Sequence, residues 1–477
     1  MRLDLLLEAV EVLDLAGDAS TDVVDVAYTS AGVRAGSLFC CLPGRRRDGH
    51  EFAADAVARG ATALLVERNV DTEPAVAQAR VANARSAMGF AASALHGNPS
   101  HALQVVGTTG TNGKSTTSRL VQAILDGAGM ACGLIGTMNN ARTTPEAPDL
   151  QAALSAFVTE GKVAASIEVS SVGLVQRRLD GTRFAVGIFT NLSPDELWIH
   201  ESMEEYFRAK AMLFEPERTA VGVVNVDDEW GRRLADERAS LLPIRTFSLD
   251  DAHDLDLRVG ASSFTWRGER VDLPLDASYN VMNALAALTA TAELGVDAST
   301  AAAALSSIEP IAGHGDPVDE GQPFRVVVDF AHTAGALASV LTESRRALGG
   351  EGARVMVVFG CGGDRDPTRR PLMGEAAARH ADVVVVTSDN PRSESPAAIV
   401  TAVAEGARKA GARDLRVVED RREAIESTIA DARPGDVIVI AGKGHETGQI
   451  VGGEVLPFDD AEVAREALRA AGYGGAK

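Results

Sequence analysis

Cysteine is scarce in this chain: Cys40, Cys41, Cys132 and Cys361 are the four present in 477 residues. Their spacing fits neither a zinc site nor a disulfide framework. The adjacent Cys40 and Cys41 sit in an apolar, strand-like run, so they read as core residues. Long hydrophobic runs are also missing, and no stretch reaches the roughly 18 apolar residues that a membrane-spanning helix needs. Met1–Leu15, MRLDLLLEAVEVLDL, carries acidic residues through its apolar periodicity. That predicts an amphipathic helix rather than a secretory signal, and a cytoplasmic location. Basic charge is the third shortage, with 46 Lys and Arg against 67 Asp and Glu, a net charge of −21. An acidic surface cannot draw on counterion release, which excludes general binding to nucleic acid. Anionic substrates must then be met by local basic or backbone N–H sites.

What is present is an ordinary globular balance, 45% hydrophobic and 24% charged. At about 150 residues per domain the length predicts three domains. Residues 1–98 form a small N-terminal α/β unit, ending in the linker-like His96-Gly-Asn-Pro-Ser100. Residues 99–311 form a central ATPase-like unit on a parallel or mixed sheet, and 312–477 a C-terminal Rossmann-like α/β unit. Apolar runs repeatedly end in polar clusters: Ala164–Ile167 before Glu168-Val-Ser-Ser, Val186–Phe189 before Thr190-Asn-Leu-Ser, Val383–Val386 before Thr387-Ser-Asp-Asn-Pro-Arg, and Val437–Ile440 before Ala441-Gly-Lys-Gly-His-Glu. Near-continuous hydrophobic strands alternating with helices predict buried parallel sheets, whose ligands gather beyond the strand C-termini. Two α/β units are expected to face one site.

Val105–Leu120, VVGTTGTNGKSTTSRL, is the most informative segment. A β-branched run enters a Gly/Thr-rich turn that opens into a helix near Lys114, the architecture of a phosphate-binding loop. Thr108 stands where the strict pattern has its first glycine. Read as nucleotide contacts, the loop comprises Thr108, Gly110, Thr111, Asn112, Gly113, Lys114, Ser115 and Thr116.

The series GTTGTNGKST, TTPEA, EVSS, FTNLSPDE, YFRAKAMLF, NVDDEWG, YNVMNALAAL, VVDFAH, FGCGGDRD, TSDNPRSESP and AGKGHETGQ resembles that of the Mur ligases over most of the chain. It is most similar to the branch that adds the third peptide residue to a UDP-N-acetylmuramoyl dipeptide. The resemblance implies ATP-driven amide formation: a substrate carboxylate attacks the γ-phosphate, and an amine displaces phosphate from the resulting acyl phosphate. It implies an amino acid, meso-diaminopimelate, joined to the D-Glu carboxylate of UDP-MurNAc-L-Ala-D-Glu in peptidoglycan precursor synthesis. The implied cofactors are ATP and two Mg²⁺ ions, the partners are small-molecule substrates only, and a monomer is expected.

Residue by residue, the resemblance assigns Lys114 to the β/γ-phosphates, with Thr111, Asn112 and Gly113 supplying backbone N–H groups. Ser115 becomes a first Mg²⁺ ligand and Glu168 a ligand of the second. Lys210 becomes a CO₂-derived carbamate that orients metal. Asn283 falls near adenine and Asp329 beside the nucleotide, and His332, which follows in the same strand-end loop, joins Lys114, Glu168 and Lys210 as a catalytic candidate. Read from the residues alone, Glu168 also fits a capping carboxylate, Lys210 a helix lysine reaching for solvent, and His332 a satisfied hydrogen-bonding residue. On the substrate side stand Ser30, His50, Thr143, Thr144, Ser170 and Arg178 for the acceptor. For the amino acid stand Arg369, Asp389, Asn390, Arg392, Gly442 and Glu446. A guanidinium at Arg392 can hold the distal carboxylate of diaminopimelate bidentately, and Glu446 can complement its ammonium.

Five departures from the family pattern stand out. Asp195-Glu-Leu-Trp-Ile-His200 places Glu196 where a histidine is expected at the second metal, and Trp198 and Ile199 also differ. Val172 replaces the histidine after EVSS. Thr29-Ser30-Ala31 keeps the serine but loses an arginine. Gly313-His314-Gly315-Asp316 loses another, and His332-Thr333-Ala334 loses a proline. They leave two alternatives beside the cell-wall ligase: a paralogue joining an amino acid to a different carboxylate, and a non-catalytic nucleotide-binding partner protein.

Overall fold

The computed structural model describes residues 1–44, 47–137, 142–258, 260–308 and 314–474. Gly313, and the expected boundary between residues 311 and 312, lie outside the described residues.

Three α/β layers carry the chain. The N-terminal sheet has five strands in the order Val12–Ala16, Ala77–Val81, Ala61–Val66, Ser37–Cys40, Asp25–Ala27, antiparallel only at the first pair. The expected helix over Met1–Leu15 is corrected here. A helix covers only Leu3–Leu7, and Val12–Ala16 is a strand paired with Ala77–Val81. The run Glu11-Val-Leu-Asp-Leu mixes both periods, and an open sheet edge selects the extended form.

The central sheet is six parallel strands in the order Ile244–Phe247, Thr219–Asn225, Phe184–Phe189, Gln104–Thr109, Ala164–Glu168, Cys132–Ile135. Ala164–Glu168 is buried throughout, as a strand covered on both faces must be. From Gln104–Thr109 the chain adds strands first on one side and then on the other, so a crevice opens at that strand's C-terminal end. The helix Lys114–Gly127 starts there and buries Leu120, Val121, Ile124 and Leu125 in a core shared with the helix Ser278–Glu293.

The C-terminal sheet orders His314–Pro317, Arg325–Asp329, Val437–Ala441, Val355–Phe359, Val383–Val386, Asp414–Val417, antiparallel only at its first pair. Behind its strand ends lies an ion pair with no exposure, Arg421 and Asp460, joined by two 2.7 Å hydrogen bonds. Arg421 also donates to the carbonyls of Ser388 and Ala441, tying together two strand ends that carry site loops. Removing one partner strands a buried charge, so Arg421→Met is expected to lower unfolding stability by about 3–5 kcal/mol. A urea titration checks this; a loss below about 1 kcal/mol would show the pair to be dispensable.

The sheets' site ends meet. Thr333 Oγ1 donates to Asn112 Oδ1 at 3.1 Å, and Arg369 lies 3.6 Å from Asp195, both crossing from the C-terminal to the central unit. Tyr28 donates to Asp149 at 2.7 Å between the N-terminal and central units.

Candidate active site

The loop after Gln104–Thr109 is shaped by two glycines. Gly110 has φ +152°, and a Cβ there would fall 1.9 Å from Thr190 Oγ1. Gly113 has φ +82° and opens the helix; a Cβ would fall 2.3 Å from Asn283 Oδ1. Both are therefore backbone positions that a side chain would destroy. Among the described residues, the N–H groups of Gly113, Lys114, Ser115 and Thr116 have no hydrogen-bond partner, and Thr117 is the first to bond back, to Gly113. Four unmet donors at a helix N-terminus make an anion site.

Two expectations for this loop are corrected. The N–H groups of Thr111 and Asn112 are already bonded to the carbonyl and side-chain oxygens of Asn191, so they hold the loop rather than face a ligand. Thr108 is a strand residue, fully buried, and does not reach the cleft. Thr190 and Asn191, from the FTNLS segment, both donate to Asn112 O and strap the loop in place.

Two lysines converge on one carbonyl. Lys114 Nζ donates to Gly110 O at 3.0 Å and Thr111 O at 2.8 Å, and Lys210 Nζ donates to Gly110 O at 2.8 Å. Lys210 is fully buried, with its ammonium 4.4 Å from the Tyr206 ring centroid. Burial first, and the Lys114 charge second, lower its pKa to about 7 despite Glu196 and Asp195. This lysine does not reach for solvent, and its surroundings favour the neutral amine.

Glu168, at the end of its strand, accepts from Ser115 Oγ at 2.9 Å and from Thr137 N and Oγ1, both at 3.1 Å. Glu196 has φ +53° and accepts from Ser171 Oγ at 2.8 Å; Ser171 also meets His200 Nε2 at 2.9 Å. Burial pushes the Glu196 carboxyl up, but Lys210 and Lys114 outweigh it and hold it below the usual range. Among the described residues no group of three or more His, Cys, Asp or Glu side chains could hold a metal. The donors available are Glu168 with the Ser115 hydroxyl, and Glu196. That fits Mg²⁺, which takes one or two carboxylates and fills its shell from phosphates and water.

One cleft of about 890 Å³ is lined by Gly113, Lys114, Ser115, Thr116, Glu168, Glu196, Lys210 and Asn283 from the central unit. Asp329, His332, Arg365, Arg369, Asp389, Asn390, Arg392, Gly442 and Glu446 line it from the C-terminal unit, and Thr143 and Ser170 also border it. Burial raises the Asp329 carboxyl to about 7, against its hydrogen bond from Ala331 N. His332 donates from Nδ1 to Phe330 O; burial, then Arg369, lower its pKa, so the imidazole stays neutral. Arg369 also donates to the His332 carbonyl. Arg392, at φ +53°, donates to Gly363 O at 2.7 Å.

Ser30, His50, Thr144 and Arg178 do not line this cleft. His50 is buried with Nδ1 on Asp48 at 2.6 Å and Nε2 accepting from Glu67 N, so both ring nitrogens serve the fold. Arg178 donates to Thr144 O and Gln176 and lies 3.1 Å from the buried Glu146. Thr144 Oγ1 donates to Glu168 O and so supports that residue from behind the cleft wall. The departures Val172, Trp198 and Ile199 do line the cleft, giving that wall an apolar patch.

Two residues escaped the reading of the sequence. Arg365, in FGCGGDRD, lines the cleft with no hydrogen-bond or ionic partner among the described residues; burial, then Arg392 and Arg369, lower its pKa. Its signal was a charged residue in a Gly-rich strand-end loop. Lys443, within AGKGHE, is fully buried behind the cleft wall, which no sequence pattern announces.

Family models match residues 23–94 (Mur ligase family, catalytic domain), 108–291 (Mur ligase middle domain) and 316–444 (Mur ligase, glutamate ligase domain). The UDP-N-acetylmuramoyl-L-alanyl-D-glutamate–2,6-diaminopimelate ligase of Streptomyces coelicolor is 43% identical over 95% of this chain and 94% of its own. The protein of the same name from Geobacillus kaustophilus is 40% identical over 94% and 96%. A solved structure of a ligase of that name superposes with a TM-score of 0.68 at 32% identity, covering 99% of this chain and all of the other. Three consecutive family matches, near-full-length identity above 30% and a shared fold around one cleft lead to one conclusion: the chain belongs to the Mur ligase family.

Proposed function

We propose that this Mur ligase is the ATP-dependent enzyme that joins meso-diaminopimelate to the D-Glu carboxylate of UDP-MurNAc-L-Ala-D-Glu, in peptidoglycan precursor synthesis. The observation that carries the reading is one cleft with four unmet N–H groups and two lysines on one wall and Arg365, Arg369 and Arg392 on the other. The names of the Streptomyces and Geobacillus relatives support the same substrates.

ATP supplies the phosphoryl group that turns a carboxylate into a displaceable acyl phosphate. The chain's residues neutralise and orient. The N–H groups of Gly113 to Thr116 and the Lys114 ammonium take the phosphate oxygens. Ser115, Glu168 and Glu196 offer oxygen donors to Mg²⁺, with a carbamate on Lys210 as a further anion. Arg392 and Arg365 hold carboxylates of the incoming amino acid, and Glu446 its distal ammonium. Among the described residues His332 Nε2 has no hydrogen-bond partner while Nδ1 is pinned, so its neutral imidazole is placed to take a proton from the attacking amine. Asp195 and Arg369, paired across the units, keep the walls together and water out.

The test is phosphate release with Mg-ATP and meso-diaminopimelate, with and without UDP-MurNAc-L-Ala-D-Glu, and the product mass. Acceptor-dependent release with the tripeptide product is expected. Tight ATP binding with no turnover on that acceptor would overturn the assignment in favour of another carboxylate.

A further inference from the structure

Lys443 follows Gly442 at the end of the strand Val437–Ala441 and has no solvent exposure. A buried ammonium is costly unless it is paired and hydrogen-bonded. Lys443 Nζ donates to Asn390 Oδ1 at 3.1 Å and to Glu446 Oε2 at 3.2 Å, and Asp389 Oδ1 lies 3.9 Å away. Asn390 in turn donates from Nδ2 to the same Glu446 oxygen at 2.7 Å, and its Oδ1 accepts from Ile450 N at 2.9 Å. Lys443 is thus outside the cleft lining, yet touches three residues that form it.

We propose that Lys443 is a positioning residue that sets which far end the amino-acid substrate must carry. This rests on the reading of Arg392 and Glu446 as the far-end site. Two effects act together. Donation to Asn390 Oδ1 fixes that amide with its Nδ2 on Glu446, which aims the carboxylate. The ammonium also cancels one of the two carboxylates, so Asp389 and Glu446 together present a single negative charge. With Arg392 these four groups sum to zero, and Arg365 beside Arg392 adds a further positive charge to the wall, so the site suits a far end that carries a carboxylate as well as an ammonium. Arg421, the other cation behind this cluster, is satisfied by Asp460 and leaves the sum unchanged. Without Lys443 the sum falls by one unit, which shifts the preference toward a far end bearing an ammonium alone. In a partly buried site such a charge change weighs heavily on discrimination.

The experiment compares wild type, Lys443→Met and Lys443→Gln with meso-diaminopimelate and with L-lysine, at saturating Mg-ATP and UDP-MurNAc-L-Ala-D-Glu. In both variants the KM for meso-diaminopimelate is expected to rise about tenfold or more, with KM for ATP unchanged. The ratio of kcat/KM for meso-diaminopimelate over L-lysine is expected to fall about tenfold. A purely structural lysine would lower kcat for both amino acids alike; an unchanged ratio overturns the proposal. Should both variants fail to fold, Asn390→Asp adds a negative charge with Lys443 in place. It must shift the ratio in the same direction, and an unshifted ratio there is equally fatal. Wild-type turnover on meso-diaminopimelate tests the underlying reading separately, and a wild type that uses neither amino acid removes both.

Discussion

Lys114→Ala is expected to lower acceptor-dependent phosphate release by two to three orders of magnitude, about the cost of removing one preorganised donor from developing charge. Lys114 is the first residue of its helix, and its ammonium arches back over the Gly110 and Thr111 carbonyls, beside four unmet N–H groups. Alanine is a good helix former, so the loop and the helix should survive the change. The loss then reports on charge at the phosphates and not on folding. Nucleotide affinity should fall less than kcat, because the N–H groups remain. Single-turnover phosphate release checks this, and near-normal release from the variant would remove the loop lysine from the mechanism.

Lys210→Ala is expected to cost about a hundredfold or more in kcat, and wild-type activity is expected to depend on pH through the same residue. The Lys210 pKa is lowered from 10.5 to about 7, by burial and then by Lys114. Only the neutral amine reacts with CO₂, and its fraction grows as pH rises through 7. At fixed dissolved CO₂, activity should climb between pH 6 and 8 and flatten once the carbamate is fully formed, by at least about tenfold per pH unit at the low end, because freeing the amine releases one proton and forming the carbamate a second. Stability carries the same sign. Between about 7 and 10.5 the unfolded chain holds a proton that the folded chain lacks, so stability rises with pH across that window. A ¹³C-bicarbonate NMR signal from a protein carbamate, absent in Lys210→Ala, is the direct check. A flat profile from pH 6 to 8 with no such signal would leave Lys210 as a simple hydrogen-bond donor to Gly110.

Much of the site was legible because α/β folds put their chemistry at strand C-termini. Glu168, Asp329, Asp389 and Gly442 each follow an apolar run that could be read directly from the chain. Hydrophobic strands buried on both faces leave a strong local signal, and Val383–Val386 has the same bounds in the sequence reading and in the sheet. The N-terminal segment was misread because Val12–Ala16 owes its extended form to Ala77–Val81, a partner some 65 residues away. No local window contains that partner.

The chain by itself determined the α/β class, the strand-end placement of the polar clusters and the phosphate loop, since each depends on residues adjacent in sequence. Only the tertiary structure decided what those residues face. It gave the Thr111 and Asn112 N–H groups to Asn191, across 80 and 79 residues of chain. It brought Lys210 to the carbonyl of Gly110 over a separation of 100. It enclosed Lys443 between Asn390 and Glu446, turning an unremarked lysine into a buried charge that must be satisfied. Charges, donors and acceptors are properties of residues, but burial and pairing belong to the packed molecule, and these set pKa, orientation and the net charge a substrate meets.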